Sequence, residues 1–227
     1  MQDLLIIGCG SQARYVIDII SNENCNIIGA VDLEAGNMVG KIINDVKIIC
    51  KLQEVPQRFD SGNIKVILAH GDIAIKVAAI NFLHSYGFGF GRAISSHSII
   101  SPFSKVGVGC IINPNVVIMP NAVIGNHVII HSQSVIEHDN KIGDLSNVAP
   151  GVSFGGNVIV GERTYIYTGA SIIPGVCIGN DCILGSGAVV IKDVKDNEVV
   201  AGVPARTIRI NDPVDLSFLR EKPKFSV

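Results

Sequence analysis

The sequence predicts a small α/β module followed by an all-β domain in which short parallel strands coil into a β-helix. Three observations predict this fold class. An aliphatic residue recurs at every sixth position from Ile94 to Val190, with one aromatic exception. Glycine, asparagine and proline recur at fixed offsets from it, where the chain must turn a corner. Before Ile94 apolar strand-like segments alternate with helical ones, which is typical of a parallel sheet.

Length and composition limit the classes of protein to which this 227-residue chain can belong. Hydrophobic residues make up 48% and charged residues 17%, which favours a buried core over disorder. The formal net charge of -2 argues against nucleic acid as the main partner. Every apolar run is shorter than the roughly 18 residues that a membrane helix needs, and the N-terminal run is too short for a signal peptide. We therefore expect a cytoplasmic protein with no membrane partner.

The six cysteines show neither a CxxC pair nor a zinc-ligand spacing. Reduced thiols are the simpler interpretation, which agrees with a cytoplasmic location. A reactive cysteine is the alternative, although a free cysteine more often packs as a small apolar side chain.

Residues 1–92 are predicted to form the α/β module. Strands are predicted at residues 4–7, 27–31 and 65–69, and helices at residues 11–20 and 72–86. Because strands and helices alternate, the strands should form a small parallel sheet. At under 100 residues the module corresponds to half of a complete dinucleotide-binding fold, a half-Rossmann module.

The first strand-to-helix turn carries a phosphate-binding pattern. Residues 8–13 read GCGSQA, which matches G-x-G-x-x-A, and Asp32 follows about 20 residues later at the end of the second strand. Glycines in such a turn let backbone N–H groups and a helix N-terminus approach a phosphate. We interpret the module as a nucleotide or nucleotide-sugar site. NAD binding and a turn made glycine-rich by packing alone are the alternatives.

The six-residue repeat predicts the all-β domain at residues 93–210. Its aliphatic column contains only Ile, Val and Leu apart from Phe154, and four residues after each member a small residue recurs apart from Asn140. Three hexads make a coil of 18 residues, and the 17 hexads stack at about 4.8 Å into a prism roughly 25 Å long. A chance match over this many repeats is not credible.

The phase of the repeat singles out one histidine. His138 lies two residues after Ile136, in a corner column that should face outward, and Asp139 follows it. A carboxylate beside an imidazole orients the ring and stabilises its charge. Asn140, the exception in the small column, comes next, and local departures of this kind are expected at functional sites. The pattern indicates a general base, although an outward histidine is more often plain surface.

The other histidines are not expected to form a metal site. His127 and His131 are interpreted as surface or interface residues, and His70, His84 and His97 as structural or solvated ones. A zinc carbonic anhydrase built on such a repeat needs three converging histidines. Because these histidines do not recur at multiples of 18 on one face, we expect no metal.

The chain resembles a known family through the segments LLIIGCGSQARYVIDII, SVIEHDNKIGDLSNVAPGVSFGGNVIVG, ILGSGAVVIKDV and VVAGVPAR. It resembles the sugar O-acyltransferases of the sialic acid O-acetyltransferase type. More narrowly, it resembles bacterial N-acetyltransferases of nucleotide-linked amino sugars. The resemblance extends to about Arg209 and leaves the tail, residues 211–227, without a counterpart. It implies a left-handed parallel β-helix, which the spacing alone does not establish, since parallel crossovers are normally right-handed.

The resemblance also implies a homotrimer that holds acetyl-CoA between adjacent prisms. It makes His138 the general base and Asp139 the acidic neighbour that raises its basicity. The residues expected to bind CoA are Asn147, Gly156, Thr168 and Ser186, with residues 201–206 as further contacts. The residues of the N-terminal module expected to bind the nucleotide sugar are Gly10, Ser11, Gln12, Asp32, Leu33 and Gly71. Asn147 stands where the family often has a second histidine.

The implied reaction is transfer of an acetyl group from acetyl-CoA to the 4-amino group of a UDP- or GDP-linked dideoxy amino sugar. The amine attacks the thioester, His138 takes the proton, and backbone N–H groups near Gly155 and Gly156 stabilise the oxyanion, with no acyl-enzyme. Two alternatives stay open. One is O-acetylation of sialic acid or another sugar hydroxyl, and the other is a non-catalytic trimeric scaffold or nucleotide sensor.

Overall fold

The computed structural model describes residues 2–20, 25–33 and 36–212. The chain divides into two compact units, one that ends at Ala93 and one that begins at Ile94. The tail predicted for residues 211–227 lies, beyond Asp212, outside the described residues. No described helix is long and apolar enough to cross a membrane.

The N-terminal unit is a mostly parallel sheet with helices in its connections. Within the described residues its elements are β1 (Gln2–Ile7), α1 (Ser11–Ile20), β2 (Cys25–Asp32), β3 (Ile42–Ile43), β4 (Val46–Lys51), a 3-10 turn (Leu52–Glu54), α2 (Val55–Arg58), β5 (Ile64–Leu68), α3 (Ile73–Ser85) and β6 (Gly89–Phe90). The strand order is β3-β4-β2-β1-β5-β6, with β3 and β4 antiparallel and the other neighbours parallel. The predicted α/β character of this unit is confirmed.

Strand β1 lies near the centre of the sheet and is buried on both faces. Leu5 and Ile7 pack in a cluster with Val31, Leu68 and Leu83 from β2, β5 and α3. Full burial of an aliphatic side chain contributes about 1.5–3 kcal/mol, so this strand anchors the unit. Hydrogen bonds at its end, from Gly8 N to Val31 O at 2.9 Å and from Ala69 N to Ile7 O at 2.8 Å, bring the carboxyl ends of β1, β2 and β5 together. Ligands of open α/β sheets bind at such an edge.

The C-terminal unit is a prism made of three sheets. Its strands are β7 (Ala93–Ile94), β8 (Ile99–Ile100), β9 (Lys105–Val106), β10 (Ile111–Ile112), β11 (Val117–Ile118), β12 (Val123–Ile124), β13 (Ile129–Ile130), β14 (Val135–Ile136), β15 (Lys141–Ile142), β16 (Asn147–Val148), β17 (Ser153–Phe154), β18 (Ile159–Val160), β19 (Tyr165–Ile166), β20 (Ser171–Ile172), β21 (Cys177–Ile178), β22 (Ile183–Leu184), β23 (Val189–Val190), β24 (Glu198–Gly202) and β25 (Ala205–Ile210). The strand orders are β25-β24-β22-β19-β16-β13-β10-β7, β23-β20-β17-β14-β11-β8 and β21-β18-β15-β12-β9. Every third strand therefore pairs, and the predicted parallel β-helix is confirmed.

The register shows why the coil is 18 residues long. Ile112 pairs with Ile130, and Ile118 with Ile136, so each aliphatic residue stacks on the one a coil away. The aliphatic and small columns together form one buried core from Cys110 to Val200. The antiparallel hairpin of β24 and β25 follows the last coil.

The corners are held by left-handed residues and by hydrogen bonds between coils. Asn121 and Asp139, both three residues after the aliphatic position, have φ of 63° and 60°. Asparagine and aspartate tolerate this conformation better than most residues do. Asp139 N donates to Pro120 O in the preceding coil at 3.1 Å, and this bond is repeated at corner after corner. A corner thus holds its outward side chains at a defined height along the prism.

Candidate active site

His138 and Asp139 project from the corner between β14 and β15. Nδ1 of His138 lies 2.8 Å from Oδ2 of Asp139, and the two side chains are 53% and 43% exposed, as the phase of the repeat predicts. An ionised carboxylate only accepts hydrogen bonds, so Nδ1 carries the proton and Nε2 keeps a lone pair directed away from Asp139. The pair is therefore arranged to accept a proton at Nε2.

Asn121 completes the arrangement, and the sequence analysis did not identify it as functional. Its Nδ2 donates to the second carboxylate oxygen of Asp139, Oδ1, at 3.1 Å. Hydrogen bonds from His138 and then from Asn121 hold the pKa of Asp139 below its usual value, and the charge of His138 adds to this effect. The signal was present in the sequence, because Asn121 precedes Asp139 by one coil of 18 residues.

Gly156 lies against the imidazole ring of His138. A Cβ atom added to Gly156 would come within 2.5 Å of both Cε1 and Nε2 of the ring. The position has no left-handed φ that would require glycine, so the ring itself excludes a side chain there. Of the residues expected to bind CoA, Gly156 is the one that the fold places beside the base.

The remaining residues expected to bind CoA lie on other edges of the prism. Asn147 is 8% exposed and belongs to β16, in the sheet opposite the His138 corner. Thr168 and Ser186 are exposed and lie one coil apart on the corner that follows that sheet. The fold of one chain therefore brings His138, Asp139 and Gly156 together, but it does not bring Asn147, Thr168 or Ser186 to them.

The two histidines nearest in sequence to His138 take structural positions. His127 is 7% exposed, and its ring lies against Gly109, which leaves no room for a side chain at that glycine. This burial contradicts the interpretation of His127 as a surface residue of the chain, whereas its interpretation as an interface residue stays a prediction. Nδ1 of His131 is 3.0 Å from Nδ2 of Asn113, and burial lowers the pKa of His131. The amide nitrogen of Asn113 can only donate, so Nδ1 of His131 accepts.

Two further histidines, His84 and His97, are exposed, as expected. Among the described residues, no group of three or more His, Cys, Asp or Glu side chains is placed to hold a metal ion.

A second candidate site lies in the N-terminal unit, at the carboxyl ends of β1, β2 and β5. A cavity of about 270 Å³ is lined there by Gly8, Cys9, Gly10, Asp32, Leu33, Asn37, Met38 and His70. Of the residues expected to bind the nucleotide sugar, Gly10, Asp32 and Leu33 line it. Ser11 and Gln12 begin α1 beside the cavity without lining it, and Gly71 follows His70 in the chain.

His70 was interpreted as structural or solvated, and it lines this cavity. Asn37 and Met38 were not identified from the sequence either. Their loop is fastened to the cavity, because Met38 N donates to Oδ2 of the buried Asp32 at 3.0 Å. The carboxylate that was expected to bind the nucleotide sugar therefore also shapes this cavity.

The glycines of the turn fall into two kinds. A Cβ atom on Gly8 would lie 2.5 Å from Ala69 O, and Gly8 has a φ of 124°, so packing and backbone conformation both require this glycine. Gly10 and Gly71 have nothing within 4 Å of such an atom and no left-handed φ. Packing explains Gly8 but leaves Gly10 unexplained, and Gly10 faces the cavity.

The chain is similar in sequence to known bacterial transferases. The family model for the bacterial transferase hexapeptide (six repeats) matches residues 103–138 and 157–192. GDP-perosamine N-acetyltransferase of Escherichia coli O157:H7 is 30% identical over 187 residues, which cover 80% of this chain and 82% of the relative.

Solved structures resemble the chain over nearly its full length. PerB from Caulobacter crescentus, in complex with CoA and GDP-perosamine, has a TM-score of 0.83 and 29% identity, covering 92% of this chain and 98% of that chain. The acetyltransferase domain of PglB from Neisseria gonorrhoeae FA1090, in complex with acetyl coenzyme A, has a TM-score of 0.84 over 91% and 99% of the two chains. At 23% identity, the PglB likeness is one of fold alone.

Proposed function

The chain belongs to the bacterial hexapeptide transferases and is an acyltransferase, and we propose that it acetylates the 4-amino group of a nucleotide-linked dideoxy amino sugar with acetyl-CoA. The observation that carries the proposal is the arrangement of Asn121, Asp139 and His138, which leaves Nε2 of an exposed histidine ready to accept a proton. The names of the relatives supply the substrate class, since the Escherichia coli and Caulobacter crescentus proteins are described with GDP-perosamine.

His138 is the general base of the proposed reaction. The neutral sugar amine attacks the thioester carbon, and Nε2 takes the proton that the nitrogen must lose as the new C–N bond forms. The C–S bond then breaks, and the proton on Nε2 passes to the departing CoA sulfur. General-base catalysis of this kind contributes typically about 10²–10⁴-fold. Asp139 keeps the proton on Nδ1 and stabilises the imidazolium while it exists.

The backbone N–H of Gly156 is the proposed donor to the oxyanion. The N–H groups near Gly155 and Gly156 were both expected to serve this role. Gly155 N donates to Ile172 O at 2.8 Å in the ladder, so it is already occupied. No described residue accepts a hydrogen bond from Gly156 N. A donor that is held rigidly near the base can stabilise charge as it develops on the thioester oxygen.

The nucleotide is proposed to bind in the cavity of the N-terminal unit. The phosphate-binding turn, the open space over Gly10 and the buried Asp32 support this assignment. Both GDP- and UDP-linked sugars fit this chemistry, and the GDP-linked sugar is the first to test because the named relatives are described with it.

Acetyl-CoA is proposed to bind between subunits of a homotrimer. Asn147 lies in the sheet opposite the His138 corner, and Thr168 and Ser186 lie on another corner, which supports a site that takes the base from one chain and these contacts from another. Packing the corner of one prism against the opposite sheet of a second copy brings the two sets together, and repeating this contact around a threefold axis closes a ring.

An acceptor panel tests the proposed function. Release of the CoA thiol is measured with acetyl-CoA and with GDP- and UDP-linked 4-amino sugars, their 4-hydroxy counterparts, and sialic acid. The expected result is thiol release with an amino sugar and background release with each hydroxyl acceptor. Release with a hydroxyl acceptor alone would replace N-acetylation by O-acetylation. Release with none, from a folded protein that binds the nucleotide, would favour the non-catalytic alternative.

A further inference from the structure

Asn140 is a fully buried polar residue in the interior of the β-helix, directly after Asp139 in the chain. The residues one coil away on either side, Ala122 and Val158, are small and equally buried. Nδ2 of Asn140 is buried, and no described residue accepts a hydrogen bond from it. A buried donor without an acceptor lowers the stability of the fold, so the amide needs a compensating role.

Oδ1 of Asn140 makes a hydrogen bond that the repeat does not otherwise require. It accepts from Val158 N, one coil further on, at 2.6 Å. At several other corners the equivalent N–H stays within its own turn, as when Ser98 N donates to Ser95 O at 3.0 Å. Where the column holds Ser146 or Thr164, the polar side chain accepts this N–H from the next coil, as Asn140 does at the corner of His138. The Asn140 amide therefore converts a bond within one turn into a bond between two coils.

This bond links the corner of His138 to the backbone on which its ring rests. Asn157 N donates to His138 O at 3.0 Å, and Val158 N donates to Asn140. His138 and Asn140, at the two ends of the corner, thus accept hydrogen bonds from the N–H groups of the consecutive residues 157 and 158. Gly156, the residue just before them, lies against the imidazole. The base and its supporting backbone are held as one rigid piece.

We propose that Asn140 is a positioning residue for His138 and Asp139: its buried amide ties their corner to the segment 156–158 and so fixes the direction of Nε2. The proposal rests on the proposed function, because it requires His138 to be the base. Catalytic groups need to be held closely in place, and a misplacement of about 1 Å can cost about 10²-fold in rate. Retaining a buried donor without an acceptor is the cost in stability of this rigidity.

Two substitutions of Asn140 separate this role from a general effect on folding. Asn140→Ala removes the acceptor for Val158 N, and alanine fits the column, since Ala122 occupies it one coil earlier. Asn140→Ser restores an acceptor, because Ser146 Oγ in the same column accepts from Thr164 N one coil further on at 3.1 Å. We expect kcat to fall about tenfold in Asn140→Ala and to return to within about threefold of wild type in Asn140→Ser, with both KM values nearly unchanged.

Thr164→Val is the matched control at a corner without catalytic residues. Thr164 Oγ1 accepts from Cys182 N at 3.1 Å, which is the same kind of bond between coils. The control should lower the melting temperature, as any lost buried hydrogen bond does, and leave kcat within about twofold of wild type.

The outcomes also separate this proposal from the proposed function. Turnover of an amino sugar by the wild-type protein tests the proposed function. The ratio of each variant's kcat to that of wild type, measured with whichever acceptor is turned over, tests the role of Asn140. Wild-type kcat in Asn140→Ala would overturn the positioning role. So would a loss in Asn140→Ser as large as that in Asn140→Ala, or an equal loss in Thr164→Val.

Discussion

At the scale of single residues, the candidate site is made by small groups that hold one imidazole in place. Asp139 fixes the tautomer of His138, Asn121 fixes Asp139, and Gly156 leaves room for the ring against the backbone. Because hydrogen bonds hold the pKa of Asp139 below its usual value, this carboxylate stays ionised at any pH at which the enzyme is expected to work. The support for the ring is therefore lost only in strong acid.

The first prediction concerns Gly156. Gly156→Ala places a methyl group where the His138 ring lies, so the ring must move and kcat should fall at least about tenfold. The measurement is kcat together with a thermal melt that confirms folding. In a His138→Ala background the same change should have little further effect, because there is no ring to displace. Additive losses in the double variant would contradict the account.

The second prediction concerns Gly10 in the cavity of the N-terminal unit. A methyl group there meets no protein atom within 4 Å, so Gly10→Ala should leave stability unchanged and project into the space proposed for the nucleotide. We expect KM for the nucleotide sugar to rise at least about fivefold, while KM for acetyl-CoA stays constant. Gly62→Ala, at a turn of the same unit outside the cavity, is the control. An unchanged KM in Gly10→Ala would remove the nucleotide from this cavity.

At the scale of elements, the long-range order of the chain is easier to predict from sequence than its local exceptions. The columns of Ile136 and Ser146 repeat many times, so every strand and corner from β8 to β23 follows from one register. The β3–β4 hairpin was missed although Asn44 and Asp45, with φ of 41° and 65°, form a two-residue turn of a favoured kind. Strand β3 has only two residues, and the sequence of β4, VKIICK, does not alternate regularly between apolar and polar side chains.

Parts of both sites could not be located by pattern alone. His70 lines the cavity because the ends of three strands meet there. Which strand ends meet depends on the order of the strands in the sheet, and the sequence pattern does not give that order. Asn37 and Met38 lie in a loop with no periodicity to predict its path. Asn121 was within reach, because the coil length already aligned it with Asp139. The positions of Thr168 and Ser186 on a different edge also follow from the coil, once residues are assigned to corners.

The third prediction concerns His131, at the end of β13. Burial lowers the pKa of His131 below the ordinary value of 6.5, so the unfolded chain takes up a proton at a pH at which the folded chain does not. The contribution of His131 to the free energy of unfolding should therefore be constant above about pH 6.5 and fall as the pH is lowered below it. Thermal melts of wild type and His131→Gln across this range measure the effect.

Below about pH 6.5 the melting temperature of His131→Gln should fall less steeply than that of wild type, because the variant lacks the histidine that takes up a proton on unfolding. His97→Gln, which removes an exposed histidine, is the control and should melt like wild type at each pH. Parallel pH profiles for wild type and His131→Gln would contradict this account.

At the scale of the whole molecule, the two candidate sites have separate tasks. The cavity of the N-terminal unit is suited to select the nucleotide, and the corner of the prism is suited to accept a proton. The repeat builds three similar corners in each coil, and we propose that the departures at His138, Asp139 and Asn140 give one of them a chemical role. In the proposed function, the nucleotide is therefore selected by residues other than those that perform the transfer.

The fourth prediction follows from acetyl-CoA lying between subunits. His138→Ala removes the base from one edge of the prism, and Ser186→Arg obstructs the other edge. Each variant alone should be nearly inactive. In trimers refolded from an equal mixture of the two variants, roughly a quarter of the subunit contacts should join an intact His138 edge to an intact Ser186 edge, and these contacts should be active. Specific activity of mixed trimers measures this. Activity no higher than the mean of the two parents would contradict a shared site.

The most direct test of the role of His138 is the turnover of His138→Ala with acetyl-CoA and a GDP-linked 4-amino sugar. Sedimentation of the same sample establishes that the assembly is unchanged. We expect kcat to fall at least about 10²-fold while the sedimentation coefficient stays that of wild type. Near-normal turnover from an intact assembly would contradict it.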